Sequence, residues 1–217
     1  MANSEELGNL WLARLLFELG GVEFGDFTLG RSTVHSPIYV NLRRLISHPT
    51  ALWRVAHIIL NETLALASMR RPLIEPYQLV AGVPFGGLLI ATAFSLTAKV
   101  PMIYLHPPKE AGRDAAIEGI YHPGQTVLII DDLITGGGSI LETAAALEHE
   151  GLVVKDAVAL LDRQQGGRER LKQRGYNLIS ILYLEVMLNY LMSSRKIPED
   201  WYRQCMDYLK IAADATD

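Results

Sequence analysis

Cysteine is almost absent from this chain: Cys205 is the single one in 217 residues. No internal disulfide can form, so a sulfur-stapled scaffold is excluded, and the composition fits a reducing compartment such as the cytoplasm. An excess of positive charge is missing as well. The 20 Lys and Arg against 24 Asp and Glu give a net charge of −4, which disfavours nucleic acid or an anionic membrane as a main partner. Low-complexity tracts, internal repeats and linker-like stretches are absent, and the acidic opening Met1-Ala2-Asn3-Ser4-Glu5-Glu6 carries no secretory pattern. One uncharged stretch, residues 79–98, is long enough to raise the question of a membrane span. Gly82, Pro84, Gly86 and Gly87 interrupt it. A short buried strand, a glycine turn and a helix over about 88–98 account for it better. What remains is a chain with 49% hydrophobic residues, enough for the core of a single α/β domain.

Periodicity and breakers lay out the elements. Asn3 or Ser4 can cap a helix that runs to Leu19 and stops at Gly20-Gly21. Residues 27–42 read as short strands, with Ser36-Pro37 as a turn or edge break. A helix follows Pro49-Thr50 to about Met69. Strands are then expected at 78–81, 101–105, 117–120, 126–130, 157–161 and 177–182, with helices at 88–98, 139–150 and 167–174. This alternation predicts a parallel sheet with crossover helices. Two further helices are expected near 184–194 and after Pro198.

Function is concentrated in one segment. Val127-Leu128-Ile129-Ile130 reads as a strand buried on both faces. Asp131 and Asp132 stand where that strand is expected to end, and Thr135-Gly136-Gly137-Gly138-Ser139 leads into a helix. Ligands of open α/β sheets bind beyond the carboxyl ends of strands. A glycine loop opening a helix offers free N–H groups and a positive dipole end to a phosphate. Neighbouring carboxylates can hold sugar hydroxyls or magnesium. The segment therefore predicts a site for a phosphorylated sugar. The P-loop pattern is excluded because no Lys follows the glycines, and the dinucleotide fingerprint fails because position 141 is Leu.

A strand, two acids, two apolar residues, Thr and a small-residue loop ending in Ser resemble the phosphoribosyl pyrophosphate (PRPP) motif of type I phosphoribosyltransferases. Three more segments resemble the orotate phosphoribosyltransferase family within that class. They are Phe24-Gly25-Asp26-Phe27-Thr28-Leu29 with Ser36-Pro37-Ile38-Tyr39-Val40-Asn41-Leu42-Arg43, then Gly82-Val83-Pro84-Phe85-Gly86-Gly87, then Leu160-Leu161-Asp162-Arg163-Gln164-Gln165-Gly166-Gly167. Their order and approximate spacing match over about residues 10–190. The resemblance implies one domain. A small N-terminal hood (about 1–45) stands over a PRPP-binding core (about 46–182), with C-terminal helices beyond (about 183–217).

The resemblance also implies roles. Thr135, Gly136, Gly137, Gly138 and Ser139 would wrap the 5-phosphate. Asp131 and Asp132 would face the ribose hydroxyls and, indirectly, a Mg²⁺ ion. Val83, Pro84, Phe85 and Gly86 would approach the pyrophosphate. Arg163 would hold the orotate carboxylate, with Arg31 also on the base side; Tyr39 and Phe27 are candidates for the pocket wall or for core packing. For Arg163 the residues alone also allow a surface ion pair with Asp162 or Glu169. The activity implied is transfer from PRPP to orotate in a homodimer whose mobile loop serves the partner's site. That loop departs from the family pattern: His106-Pro107-Pro108-Lys109-Glu110-Ala111-Gly112-Arg113-Asp114 aligns from Lys109, while Pro108 and Gly112 replace an Arg and a Lys. Lys109 is the remaining loop candidate for the leaving group, with Arg113 and His106 as stand-ins. Two further readings follow, a PRPP- or nucleotide-binding regulatory protein with little catalysis and a phosphoribosyltransferase for another base.

Overall fold

A computed structural model of the chain describes residues 9–29, 33–106 and 116–214. Helix α1 (Leu10–Glu18) leads into an antiparallel hairpin of β1 (Val22–Leu29) and β2 (Thr33–Val40). A 3₁₀ turn (Leu42–Ser47) and helix α2 (Pro49–Ala67) follow. The alternating part runs β3 (Leu79–Gly82), α3 (Gly86–Ala98), β4 (Met102–His106), β5 (Ala116–Glu118), β6 (Thr126–Ile134), α4 (Gly138–His149), β7 (Val153–Asp162), α5 (Gly167–Gln173) and β8 (Asn177–Tyr183). Helices α6 (Leu184–Ser193) and α7 (Glu199–Asp214) complete it. The six-stranded sheet has the order β5-β4-β3-β6-β7-β8. All its pairs are parallel except β4 with β5. The expected α/β architecture of a mostly parallel sheet flanked by helices is observed, and among the described residues no helix is long and apolar enough to cross a membrane.

The period of two along a strand divides the core between the two faces. Leu128 and Ile130 pack with α1, α2, α3 and α6 residues such as Leu16, Ile59, Phe94 and Leu188. Val127 and Ile129 pack on the other face with Ile140, Ala144, Leu147 and Leu171 from α4 and α5. All four strand residues are essentially inaccessible. At roughly 1.5–3 kcal/mol for each large aliphatic side chain buried, this central strand contributes substantially to the core on both faces.

Three expectations need correction. Strand β6 does not stop at Ile130 but continues to Ile134, because β7 pairs along it through Asp131↔Ala159, Leu133↔Leu161 and Ile134↔Asp162. Strand β7 itself begins at Val153 rather than 157. Ser36-Pro37 lies inside β2 and not in a turn. The hairpin is two-stranded, so one edge of β2 needs no backbone donor, and the register slips between Phe24 and Phe27. The Ser36 hydroxyl meanwhile donates to the Ile38 carbonyl at 2.8 Å. The expected helix start at Asn3 or Ser4 lies outside the described residues. In the structure Asn9 precedes α1, and its amide donates to the Ile181 carbonyl at 3.0 Å.

Candidate active site

Strand β3 accompanies β6 only as far as Gly82↔Ile130. Beyond that point one edge of β6 is released from the sheet, and the backbone turns away into α3, with the Val83 N–H still donating to the Ile130 carbonyl at 2.9 Å. Asp131 and Asp132 occupy this released stretch. The position is the crevice beyond the strand ends that open α/β sheets use for ligands. A cleft of about 260 Å³ opens there, lined by Tyr39, Asn41 and Arg43 from the hood, by Val83, Pro84, Phe85 and Gly86 from the β3–α3 turn, and by Asp131, Asp132 and Ser139.

Close packing builds the acidic wall. A Cβ on Gly86 would lie 2.0 Å from Asp132 Oδ2, and one on Gly87 would lie 2.4 Å from the Ile130 carbonyl oxygen. Only glycine lets α3 start against the carboxylate and the β6 backbone. The Asp132 N–H donates to Asp131 Oδ1 at 2.9 Å. Burial first, and then the neighbouring Asp132 charge, push the Asp131 carboxyl well above its usual range. Burial also raises Asp132, opposed by its hydrogen bonds and by the Arg43 charge. Such a pair is under-compensated and favours hydroxyl donors or a cation.

Two helix N-termini face the same region. Helix α4 starts after Gly137, whose φ of 73° requires the left-handed region, and α3 starts after Phe85. Neither has a side-chain cap or an acidic residue in its first turn. Their first-turn N–H groups lack intrahelical acceptors and carry the positive dipole end, which suits phosphate groups. The α4 loop is buttressed from behind. A Cβ on Gly167 would meet the Thr135 carbonyl at 2.2 Å, and Arg170 Nη1 donates to the Gly136 carbonyl at 3.1 Å.

Arg163 lies elsewhere than on the surface, and the ion pair with Asp162 or Glu169 does not form. It is 2% exposed, and its Nη2 donates to Ser36 Oγ at 2.8 Å and to the Ile38 carbonyl at 3.4 Å. Its Nε–H has no acceptor. Asp162 instead accepts from Ser180 Oγ and pairs with Arg168 at 3.5 Å. Burial lowers the Arg163 pKa from its ordinary value, though a guanidinium remains charged. The nearby Cys205 thiol is pushed up to about 12 by burial and supplies no counter-charge.

The structure thus gathers Val83, Pro84, Phe85, Gly86, Asp131, Asp132 and Ser139 around one cleft, with Thr135–Gly138 beside it. Arg163 stands beneath the hood and does not line this cleft. Tyr39 does line it; Phe27 packs on Tyr39 with ring centroids 5.7 Å apart. Lys109, Arg113 and Arg31 lie outside the described residues. Among the described residues no group of three or more His, Cys, Asp or Glu side chains forms a metal cluster. The sequence places Asn41 and Arg43 in the hood segment that carries the resemblance but gives neither a role, and it gives no sign of the buttressing Arg170 beyond its position one helical turn past a glycine pair.

No protein-family model matches the chain. It is 38% identical over 191 residues to an orotate phosphoribosyltransferase from Chlamydia caviae, covering 85% of this chain and 86% of that protein. It is 36% identical over 207 residues to the uridine 5′-monophosphate synthase of Bos taurus, covering 93% of this chain but 42% of that longer protein. Its fold is similar to the solved orotate phosphoribosyltransferase of Aeropyrum pernix, with a TM-score of 0.73 at 31% identity over 84% of this chain and 98% of that one. With identity at this level across most of both chains, and the acidic pair and glycine loop on one sheet edge, the chain belongs to the orotate phosphoribosyltransferase family.

Proposed function

We propose that the protein transfers the 5-phosphoribosyl group of PRPP to N1 of orotate, forming orotidine 5′-phosphate and pyrophosphate in pyrimidine nucleotide synthesis. The observation that carries this reading is the single cleft bounded by two uncapped helix N-termini, a buried carboxylate and a half-buried one. PRPP has a phosphate at one end, vicinal hydroxyls in the middle and a pyrophosphate at the other, and the wall offers a matching feature for each. In the reaction the C1–O bond breaks with its electron pair left on pyrophosphate. The orotate N1 electron pair forms the new bond to C1, and the N1 proton is released.

The residues divide this work. The N–H groups of residues 135–139 bind and orient the 5-phosphate. Asp131 and Asp132 accept the ribose hydroxyls. The turn 83–86 receives the pyrophosphate. Arg163 is assigned to the orotate carboxylate, a role that requires the β2 strand covering it to move, because the residue is buried and outside the cleft. Its buried guanidinium with an unsatisfied Nε–H and no carboxylate partner among the described residues supports that role. Lys109 and Arg31, outside the described residues, are assigned to the leaving group and the base side. Two hard carboxylates without a third fit Mg²⁺ held indirectly, through water and substrate oxygens. When bound, the ion supplies charge neutralisation at the phosphates.

Incubation with orotate, PRPP and Mg²⁺, followed by loss of orotate absorbance, tests the reaction. No loss above blank at high enzyme concentration overturns it. PRPP binding without turnover on any of a panel of bases would favour the regulatory reading that Pro108 and Gly112 raise. Turnover with another base would point to the third reading. The protein is further proposed to be a cytoplasmic two-fold homodimer. A monomer in sedimentation at micromolar concentration overturns that state. Partial recovery on mixing Lys109→Ala and Asp132→Ala chains is the outcome expected if the loop acts across the interface.

A further inference from the structure

The cleft is electrostatically lopsided. Its acidic wall must accept a substrate that brings several more negative charges. Among the described residues lining it, Arg43 is the only basic one. Arg43 stands in the 3₁₀ turn directly after hood strand β2 and is exposed. The turn is anchored by Leu42 and Leu45, which are 3% and 1% exposed, so the backbone that carries the guanidinium is fixed.

Its partners hold it without neutralising it. Nη2 donates to Tyr39 Oη at 3.2 Å, and Nε donates to Asn41 Oδ1 at a long 3.5 Å. Both acceptors are uncharged groups lining the same cleft. Among the described residues Arg43 forms no ion pair. Its neighbour Arg44 is used differently: it donates to the Leu19 carbonyl at 3.0 Å and lies 3.7 Å from Glu23, tying the 3₁₀ turn to the end of α1 and to β1. Two adjacent arginines therefore have separate duties, one spent on structure and one presented to the cleft. Arg43 lines the same cleft as the 83–86 turn with the uncapped start of α3, and its charge acts there on Asp132.

We infer that Arg43 is a catalytic cation of this site, contacting the pyrophosphate of PRPP and stabilising the charge that builds on it as the C1–O bond breaks. This rests on the phosphoribosyl-transfer reading. Arg43 gives up no proton in the step. The bonding electron pair passes to the pyrophosphate oxygen, and the guanidinium, charged throughout, offers preorganised donors to it. In the sequence Lys109 and Arg113 follow two prolines; Arg43 adds a cation on a fixed turn.

The test compares Arg43→Gln, Arg43→Lys and Arg43→Ala in forward and reverse reactions. Arg43→Gln is expected to lower kcat by about 10²–10³-fold, the usual loss for one donor aimed at developing charge. The orotate KM should change little, whereas the pyrophosphate KM in the reverse direction should rise about tenfold or more. Lys should restore part of the rate, and added guanidinium should partly rescue Arg43→Ala. Thermal midpoints should stay near wild type, as for an exposed substitution. A wild-type kcat and pyrophosphate KM in Arg43→Gln would overturn the inference, as would a rate loss that merely tracks a fall in thermal midpoint. Calorimetry with magnesium pyrophosphate separates the two levels. If the wild type fails to use orotate but loses pyrophosphate affinity on Arg43→Gln, the Arg43 contact stands and the orotate reading falls. If pyrophosphate affinity is equal in both proteins, the contact falls whatever the enzyme's substrate.

Discussion

Two glycine turns meet at the same sheet edge, yet their glycines exist for opposite reasons. In the β3–α3 turn the space is full of protein: Gly86 is pressed on the Asp132 carboxylate and Gly87 on the β6 backbone. In the β6–α4 loop the space at Gly138 is open. A Cβ there would touch nothing within 4 Å, whereas Gly137 is demanded by its φ of 73° and backs onto the Gly167 carbonyl oxygen, 3.2 Å from where its Cβ would stand. The first turn is shaped by contact with its own fold. The second is shaped to leave room and N–H groups for something that is not protein. Identical residue types in similar sequence settings therefore report packing in one place and ligand space in the other.

Substitutions can break or sharpen that contrast. The largest effect is expected from Gly87→Ala, because the new methyl would face the Ile130 carbonyl and the Asp131 Cα, neither of which can swing aside. Overpacking of this kind costs about 3 kcal/mol, or a drop of about 6–12 °C in Tm for a chain of this size. Differential scanning calorimetry would show it, and an unchanged Tm would mean that α3 does not rest on β6 as described.

Gly137→Val should disturb the loop from both sides. A β-branched residue resists positive φ, and its Cβ would lie 3.2 Å from the Gly167 carbonyl oxygen, so the loop backbone must shift. PRPP affinity should fall at least about a hundredfold, near 2.7 kcal/mol, alongside a lower Tm in the apo protein. Wild-type PRPP affinity by titration calorimetry would show that the loop is not the phosphate site.

Asp131→Asn probes the acidic wall. A carboxyl whose folded pKa is raised favours its protonated form in the folded state. That stabilisation is complete below the ordinary carboxylate pKa and is lost as pH rises through the folded value. The apo Asn variant, which keeps an Oδ1 acceptor for the Asp132 N–H, should therefore gain stability over wild type as pH rises towards neutrality. At acid pH the gap should close. A gap of constant size across Tm measurements would contradict the burial of charge at this wall. The smallest effect is expected from Gly138→Ala: apo stability rises by about 0.5 kcal/mol through helix propensity, while PRPP binding weakens by about tenfold or less as the open space fills. Thermal melts paired with calorimetry would detect the opposite signs.

The hood shows where reading from sequence reached its end. Ser36-Pro37 looks like a break because Pro cannot donate to a ladder, but a free strand edge removes that requirement. Arg163 looks like a surface residue beside Asp162 and Glu169. Its burial follows only once β2 crosses above the end of β7 and α7 brings Cys205 close. Asp131 and Asp132 are poor strand formers, and nothing local tells that β7 would carry β6 past them to Ile134.

What the amino-acid order by itself determined was everything carried by short-range regularity. Apolar runs and helical periods laid down the alternating strands and helices, and the acid pair, glycine loop and uncapped helix start at 131–139 made a phosphate and sugar site legible within one stretch of chain. What only the tertiary structure decided was which distant groups share that site. Arg43 joins Asp132 because the hood hairpin folds over the sheet edge. Arg170 reaches Gly136 because α5 follows the neighbouring strand, and Gly86 must be glycine because a carboxylate from β6, 46 residues later in sequence, occupies the place of its side chain. Local order is set by backbone sterics and side-chain period, whereas these pairings depend on strand order and register, which are fixed only when the whole core packs.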